Sequence, residues 1–233
     1  MIATKSAIFT QNNTKRNFRN FLEKRTLLLT LKIGKTIIMD RQEYTIRNAK
    51  PDEFEEIGKL LVTVYSQLDG FPKHSEQPAY YNMLSNIGEL TTKPETELLV
   101  AVSPGNKILG AVVFFSDMLY YGSGGTANKE KNAAGFRLLA VDPSSRGLGI
   151  GKLLTKECIR KTKEKNLSQL IIHSTKAMQT AWKMYENLGF KRSEDLNFLQ
   201  GELPVFWFPT LVLTQFTITL FTKFFTFVVA IQS

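Results

Sequence analysis

The sequence predicts an α/β fold in which a mixed, partly antiparallel sheet is flanked by helices. The first observation is the order of the elements: strand, two helices, three strands, helix, strand, helix and two strands. The second is a hairpin signal, Pro104-Gly105-Asn106, between two apolar strands. The third is a hydrophobic content of 43%, which is ample for a packed core.

The elements of the first half follow from alternation and helical spacing. Residues 44–49 alternate as a strand, and Asp52 is predicted to be the N-cap of the first helix. The apolar face of that helix carries Phe54, Ile57, Leu60, Leu61 and Val64. A second helix is predicted over 77–87, and the hairpin strands over 98–103 and 108–116.

The second half alternates strands and helices. Strands are predicted at 136–141, 169–173, 190–192 and 203–213. One helix follows the first of these strands, and another is predicted over 177–188 with Gly189 as its C-cap. Pro209 restricts the last strand to a sheet edge or a bulge, because proline has no N–H to donate.

A glycine-rich loop joins a strand to a helix at residues 138–152, which read LLAVDPSSRGLGIGK. Such a loop presents backbone N–H groups at the positive end of a helix, where phosphate binds. The Walker pattern does not fit, because three residues separate Gly147 from Gly151 and Leu153 follows Lys152. The dinucleotide pattern G-x-G-x-x-G does not fit either. A tight turn without a ligand stays the alternative.

The spacing that fits is Arg/Gln-x-x-Gly-x-Gly/Ala, met by Arg146, Gly149 and Gly151. This segment resembles the acetyl-CoA pyrophosphate loop of the GNAT superfamily of N-acetyltransferases. Residues 181–190 carry A-x-x-x-Y-x-x-x-G-F, which resembles the last conserved helix of the same superfamily. The resemblance covers residues 44–213 and implies a sheet that splays at the acetyl-CoA site.

The resemblance implies transfer of an acetyl group from acetyl-CoA to a primary amine of a small molecule or protein, by direct attack in a ternary complex. It implies that the Val141 N–H polarises the thioester carbonyl and that the Tyr185 hydroxyl donates a proton or a hydrogen bond to the leaving thiolate. The residues expected to contact acetyl-CoA are Leu139, Ala140, Val141, Arg146, Gly147, Leu148, Gly149, Ile150, Gly151, Lys152 and Thr175.

The chain departs from the family pattern at two points. Many members carry Asn seven residues before the tyrosine, where this chain has Met178, so Thr175 or Ser174 is expected to supply the polar contact. The strand before the loop has no Glu and offers Arg137 instead. Candidates for the general base are His173, Glu76, His74 and Asp117. His173 is assigned as catalytic because it ends the strand beside the cofactor, while a structural histidine and deprotonation through water stay open.

Residues 69–81 and 117–132 are expected to recognise the acceptor amine. Their aromatic side chains either wall a pocket or pack within loops: Phe71, Tyr80, Tyr81, Tyr120 and Tyr121. No acidic cluster indicates a polyamine or aminoglycoside site, and the acceptor is not identified.

The charge of the chain is unevenly distributed. Residues 1–38 hold eight Lys or Arg and one acid, so +7 of the formal net charge of +9 lies there and +2 on the remainder. This distribution argues against a nucleic-acid partner. The basic stretch 1–38 resembles a transit peptide, and the favoured interpretations are a disordered segment or an extension upstream of a start at Met39. The predicted acetyltransferase domain spans 39–213.

The apolar tail 214–233 has one charged residue, Lys223. It is either a membrane anchor or an aggregation-prone extension, since residues 210–231 approach the length of a span but contain polar residues. The lone Cys158 fits a reducing compartment, so a cytoplasmic location is expected, and no metal cluster stands out. Two further functions stay open, an inactive acyl-CoA-binding module and a membrane-associated protein, and a homodimer is open as well.

Overall fold

The computed structural model describes residues 44–122, 124–200 and 203–211. Its described strands form one sheet in the order β1-β2-β3-β4-β5-β7-β6. The strands are β1 (Thr45–Asn48), β2 (Thr96–Val102), β3 (Ile108–Phe115), β4 (Ala133–Val141), β5 (Gln169–Thr175), β6 (Ser193–Gln200) and β7 (Leu203–Leu211). The helices are α1 (Phe54–Ser66), α2 (Pro78–Ser85), α3 (Ile150–Glu164) and α4 (Gln179–Asn187). Because β4 and β5 pair in parallel and the other pairs are antiparallel, the predicted mixed sheet is confirmed.

Helices cover both faces of the sheet. Successive side chains of a strand point to opposite faces, so β2 sends Leu98 and Val100 to one core and Leu99 and Ala101 to the other. The first core contains the apolar faces of α1 and α2, and the second contains those of α3 and α4.

The start of α1 differs from the prediction. Residues Pro51–Glu53 form a 3-10 turn, and α1 begins at Phe54, so the assignment of Asp52 as N-cap is wrong. The Glu53 carboxylate accepts the Lys50 N–H at 2.7 Å and pairs with Arg47 at 2.6 Å. The Glu53 carboxylate, held in place by Arg47, therefore caps the start of the 3-10 turn instead of Asp52.

The strand predicted at 190–192 is also displaced. Phe190 packs in the core, and β6 begins at Ser193. β7 lies between β5 and β6, so Pro209 is not in an edge strand. The Pro209 carbonyl accepts the Lys191 N–H at 3.0 Å, which places the proline nitrogen on the β6 side as well. The β6 ladder begins further along, at Ser193 opposite Trp207, so no ladder donor is missing at Pro209.

The parallel pair β4 and β5 forks. The two strands pair from Ala133 opposite Gln169 to Phe136 opposite Ile172. Beyond that point β4 pairs with β3 alone, and β5 pairs with β7. The sheet is therefore open between the carboxyl ends of β4 and β5, as the splayed sheet of the prediction requires.

A bulge in β4 turns its last residues at the fork. The register against β3 shifts between Ala111 and Val113, and Leu138 has a positive φ of 59°. One extra residue on β4 reverses which face the following side chains point to. Leu138 and Ala140 consequently pack on the α1 side, whereas Leu139 and Val141 pack on the α3 side.

The predictions for 1–38 and 214–233 lie outside the described residues. Within the described ranges, none of the helices is both long enough and apolar enough to cross a membrane.

Candidate active site

The glycine loop starts from a hydrogen-bonded turn. The Asp142 carboxylate accepts hydrogen bonds from the Ser144 and Ser145 hydroxyls and from Lys107 Nζ at 3.2 Å. These donors, the Ser144 hydroxyl foremost, hold the pKa of Asp142 below its usual value. The turn therefore fixes where the chain leaves β4 and enters the glycines.

Two glycines shape the loop itself. Gly147 and Gly149 have φ values of 81° and 79°, a region in which residues with a side chain are strained. Gly149 is the N-cap of α3, and a Cβ at either glycine would point into open space. The exposed backbone of the loop thus faces an unobstructed volume at the N-terminus of a 15-residue helix, which fits a pyrophosphate group.

The other predicted loop residues divide by exposure. Arg146, Leu148 and Lys152 are exposed, whereas Ile150 is buried in the core beneath α3. A Cβ at Gly151 would lie 3.5 Å from Val141 Cγ2, so this glycine brings α3 close to the end of β4. The structure therefore brings the loop and the strand end together, as the sequence predicted, while the Ile150 side chain serves packing.

The backbone of Val141 points into the fork. The Asp142 N–H donates to the Leu109 carbonyl at 2.9 Å, and residues that bond across an antiparallel pair alternate with residues that do not. Val141 opposes Gly110 at the non-bonded position, so its N–H is directed away from β3. That direction is the open side between β4 and β5.

Tyr185 lies on the α3 side of the fork. It is 3% exposed, and its ring packs against Phe136 and Phe190 with centroids 5.9 and 5.7 Å away. Burial raises the pKa of Tyr185, and the nearby Cys158 and Tyr121 act in the same direction. Its hydroxyl makes no hydrogen bond to any described residue and stays protonated at neutral pH.

The two hydroxyls proposed to replace the missing asparagine have different surroundings. The Ser174 hydroxyl accepts the Trp182 indole N–H at 2.6 Å. Thr175 Oγ1 is buried and has no hydrogen-bond partner in the described part of the chain. An unpaired buried hydroxyl is costly unless a ligand satisfies it, so Thr175 fits a polar contact to the donor and Ser174 is already engaged.

A Tyr121 hydroxyl closes the base of the fork. It donates to the Phe136 carbonyl at 3.3 Å and accepts the His173 N–H at 3.2 Å. These two groups follow directly on the last pair of the parallel ladder, so a side-chain hydroxyl stands where the next backbone bond would form. The ring fits because Gly135 has no side chain: a Cβ there would lie 2.5 Å from Tyr121 Cε2.

A cavity of about 70 Å³ opens beside the fork on the α1 side. It is lined by Tyr65, Phe71, Gln77, Tyr80, Arg137, Leu138, His173, Ser174, Thr175, Met178 and Val205. Five of these residues lie on the stretches of β4 and β5 that no longer pair with each other, namely Arg137, Leu138, His173, Ser174 and Thr175. The glycine loop and the cavity therefore meet at the opening between β4 and β5.

His173 lies in the cavity wall with its ring between those of Tyr121 and Phe198, at 5.2 Å from each. Burial lowers the pKa of His173 to about 3, and the charge of Arg137 acts in the same direction. The imidazole is therefore neutral at pH 7 and binds a proton weakly. As a proton acceptor it is much weaker than an ordinary histidine.

The other candidate bases are outside the cavity. Glu76 accepts the Lys73 N–H at 2.6 Å, and Asp117 accepts the Leu119 N–H at 2.9 Å, so both stabilise local turns. His74 is exposed. Of the aromatic side chains expected to recognise the acceptor, Phe71 and Tyr80 line the cavity, whereas Tyr81 is buried and donates to the Pro72 carbonyl.

Sequence reasoning missed Tyr65 as a cavity residue, whereas Gln77 lies in the predicted acceptor segment 69–81. Tyr65 shares the helical spacing of the α1 core residues, so its position carries no separate signal. Arg137 did carry a signal in the sequence, because a charged residue inside an apolar strand is unusual and needs an explanation. Its side chain is half-buried and lines the cavity.

An open α/β sheet with a forked parallel pair and a glycine-rich helix N-terminus defines a class of acyl-transfer folds. A family model described as the acetyltransferase (GNAT) family matches residues 59–190, which is more than half of the chain. The chain belongs to the GNAT family and is an enzyme of the acyltransferase class. No curated protein matches it.

Solved structures share the fold. A GNAT acetyltransferase from Staphylococcus aureus has a TM-score of 0.57 at 18% identity, covering 73% of this chain and 99% of that chain. A spermidine N-acetyltransferase chimera from Vibrio cholerae has a TM-score of 0.52 at 17% identity, covering 72% of this chain and 95% of that chain. A ribosomal-protein-alanine N-acetyltransferase from Brucella melitensis has a TM-score of 0.51 at 15% identity, covering 72% of this chain and 99% of that chain. The acceptors in these names differ, so the shared fold does not identify the acceptor of this chain.

Proposed function

We propose that the protein transfers an acetyl group from acetyl-CoA to a primary amine by direct attack in a ternary complex. The observation that carries the proposal is the fork between β4 and β5, which has a glycine cradle on one side and a cavity on the other. Two substrates can then meet at one opening without a covalent enzyme intermediate. Cys158, the single cysteine, is fully buried and its pKa is raised by that burial, so it does not compete as a nucleophile.

Acetyl-CoA would supply an activated acyl group and a thiolate leaving group. The N–H groups of residues 147–151 would hold its pyrophosphate, with Arg146 and Lys152 adding positive charge. Leu139, Ala140 and the unpaired Thr175 hydroxyl would flank its pantetheine arm in the fork. Leu148 and Ile150 would contribute through their backbone.

The chemistry needs one bond formed and one broken. The amine nitrogen bonds to the carbonyl carbon, the carbon–sulfur bond breaks, and the Val141 N–H stabilises the developing oxyanion. The Tyr185 hydroxyl, whose pKa is raised by burial, donates a hydrogen bond to the leaving thiolate. The products are an N-acetylated amine and the free thiol, and the proton that the amine loses reaches the sulfur through solvent.

The amine must lose a proton before or during attack. A histidine whose pKa is about 3 is a poor base for an ammonium group. We therefore assign deprotonation of the amine to water in the cavity. His173 would be a neutral residue of the cavity wall. The cytoplasmic location belongs to the same proposal, because the free cysteine suits a reducing compartment.

The test is a thiol-release assay over a panel of amines, together with calorimetric titration of acetyl-CoA. We expect acetyl-CoA to bind and at least one amine to release thiol. Gly149→Ala should weaken acetyl-CoA binding about tenfold, because a Cβ at φ 79° strains the cradle and fills its open side. Gly105→Ala, in an exposed hairpin turn with an ordinary φ, is the matched control.

The outcomes separate the alternatives. Binding of acetyl-CoA without thiol release from any amine would favour an acyl-CoA-binding module. Absence of acetyl-CoA binding by the wild-type chain would refute the cradle assignment.

A further inference from the structure

The cavity beside the fork contains one cation, Arg137, among its lining residues, and no carboxylate. Arg137 Nη1 donates to the backbone carbonyls of Tyr121 at 2.7 Å and Gly122 at 2.5 Å. These bonds hold one edge of the guanidinium. Nη2 and Nε make no hydrogen bond and no ion pair with any described residue, so two donor groups remain for a ligand.

The charge of Arg137 is not neutralised locally. After burial, which is the larger cause, the charge of Arg137 contributes to the lowered pKa of His173, which lines the cavity with it. A second cation is close, because a Cβ at Gly122 would lie 3.6 Å from Arg137 Nη1 and 3.7 Å from Lys93 Nζ. A half-buried guanidinium without a counter-ion is an attractive position for a carboxylate, which it can bind with two parallel hydrogen bonds.

The opposite wall of the cavity is aromatic. Tyr65, Phe71 and Tyr80 form a cluster with ring centroids 5.4 to 6.0 Å apart. Burial raises the pKa of Tyr80 to about 12, so its hydroxyl is neutral and offers no negative charge to an ammonium group. This wall can contact an apolar side chain, and it does not resemble a site for a polycation.

We propose that the acceptor is a small amino carboxylate, in which Arg137 binds the carboxylate, the aromatic wall contacts the side chain, and the amine lies at the fork. The assignment rests on the proposed acetyl transfer. Arg137 directly follows Phe136, the last residue of β4 that pairs with β5, so a carboxylate on the guanidinium lies at the base of the opening between the two strands. A polyamine would instead bring further cations next to Arg137.

The experiment compares each acid with its own amide in the thiol-release assay, using the full chain. L-Phenylalanine, L-leucine and L-methionine are paired with their carboxamides, and spermidine is included as a polycation. For at least one pair we expect kcat/KM for the acid to exceed that for the amide at least tenfold. Arg137→Gln should lower kcat/KM for that acid at least tenfold, mainly by raising KM, and change the amide less than threefold.

Two controls keep the result interpretable. Lys163→Gln removes an exposed positive charge near the end of α3, outside the cavity, and should leave the acid preference unchanged. Calorimetric binding of acetyl-CoA shows whether Arg137→Gln is folded, and the comparison of acid with amide in the wild-type chain needs no variant.

The failures are distinguishable. If amides or spermidine react as well as the acids or better, the carboxylate assignment is overturned while acetyl transfer stands. An equal loss for acid and amide in a folded Arg137→Gln overturns the anchoring role of Arg137. If no amine releases thiol, acetyl transfer itself is overturned, and the acceptor assignment with it.

Discussion

His173 and Tyr185 show what burial does to titratable side chains at the site. The pKa of His173 falls to about 3 because the protein interior disfavours its charged form, and the same desolvation raises the pKa of Tyr185. Both groups are therefore neutral over the whole physiological range. Burial thus makes His173 a poor proton acceptor and Tyr185 a weak acid, and it leaves the Tyr185 hydroxyl as a neutral hydrogen-bond donor.

Burial of neutral His173 should make stability depend on pH. An unfolded histidine titrates near 6.5, so between pH 6.5 and 3 the unfolded chain binds more protons, and stability is full above 6.5 and is lost as the pH falls. Relative to His173→Gln, we expect the wild type to lose roughly 2–3 kcal/mol more between pH 7 and 4.5. Urea unfolding at the two pH values measures the difference.

The exposed His74 is the matched control, since the chain has two histidines. His74→Gln should keep the pH dependence of the wild type. If His173→Gln and the wild type lose stability in parallel, His173 is not buried as a neutral group.

Removing the Tyr185 hydroxyl should affect turnover more than binding. Tyr185→Phe keeps the ring that packs against Phe136 and Phe190, so the fold is expected to hold. Without this hydrogen bond to the leaving thiolate we expect kcat to fall on the order of 10²-fold, while the Kd for acetyl-CoA changes little. Steady-state kinetics and calorimetry measure the two constants, and an unchanged kcat would exclude the donor role.

At the scale of elements, the fork depends on one loop residue. The hydroxyl of Tyr121 satisfies a carbonyl of β4 and an N–H of β5 at the point where the strands part. The bulge at Leu138 then turns the end of β4, and Gly149 starts α3 beside it. The Tyr121 hydroxyl thus separates the strands, the bulge at Leu138 turns the end of β4, and Gly149 starts the helix.

Loss of the Tyr121 hydroxyl should destabilise or close the fork. Tyr121→Phe leaves two buried backbone groups without their partner, which costs about 1–3 kcal/mol unless the strands pair with each other. We expect lower stability in urea and at least fivefold weaker acetyl-CoA binding. Tyr120→Phe, at the neighbouring position outside the cavity lining, is the control and should change neither quantity. Unchanged binding in Tyr121→Phe would show that the hydroxyl does not hold the fork.

The sequence motifs predicted the glycine loop and the strand before it, but they did not predict what holds β4 and β5 apart. The spacing of Arg146, Gly149 and Gly151 indicated the cradle, and at Gly149 a positive φ restricts the residue types that fit. The role of Tyr121 left no comparable signal, since a tyrosine in a loop has many uses. Gly135 was the available hint: its lack of a side chain makes room for the Tyr121 ring. The base of the fork is therefore a tertiary feature.

At the scale of the molecule, two helix layers and a sheet bring the cradle and the cavity to one opening. α3 and α4 pack on one face and α1 and α2 on the other, so the donor and acceptor sides are separated by the sheet itself. They communicate where β4 and β5 are not paired. This arrangement lets acceptor specificity change through the α1 side without disturbing the cradle.

Residues 39–213 should be sufficient for acetyl transfer. Both sides of the described site lie between Tyr65 and Val205, and the net charge of the remainder beyond residues 1–38 is only +2. We expect a fragment of residues 39–213 to keep kcat/KM within about threefold of the full chain, measured by thiol release. A fragment that folds by circular dichroism but loses activity would mean that the terminal segments contribute to function.

The sequence by itself determined the class of fold and the family, and it predicted which residues form the donor side of the site. Hydrophobic alternation, helical spacing and a loop of glycines are local patterns, and each is imposed by backbone geometry over a few residues. The tertiary structure decided where the sheet opens, which hydroxyl remains unpaired and how far the pKa of His173 falls. It also decided that Arg137 and the aromatic wall share one cavity. These features depend on contacts between segments far apart in the chain, which no local pattern contains.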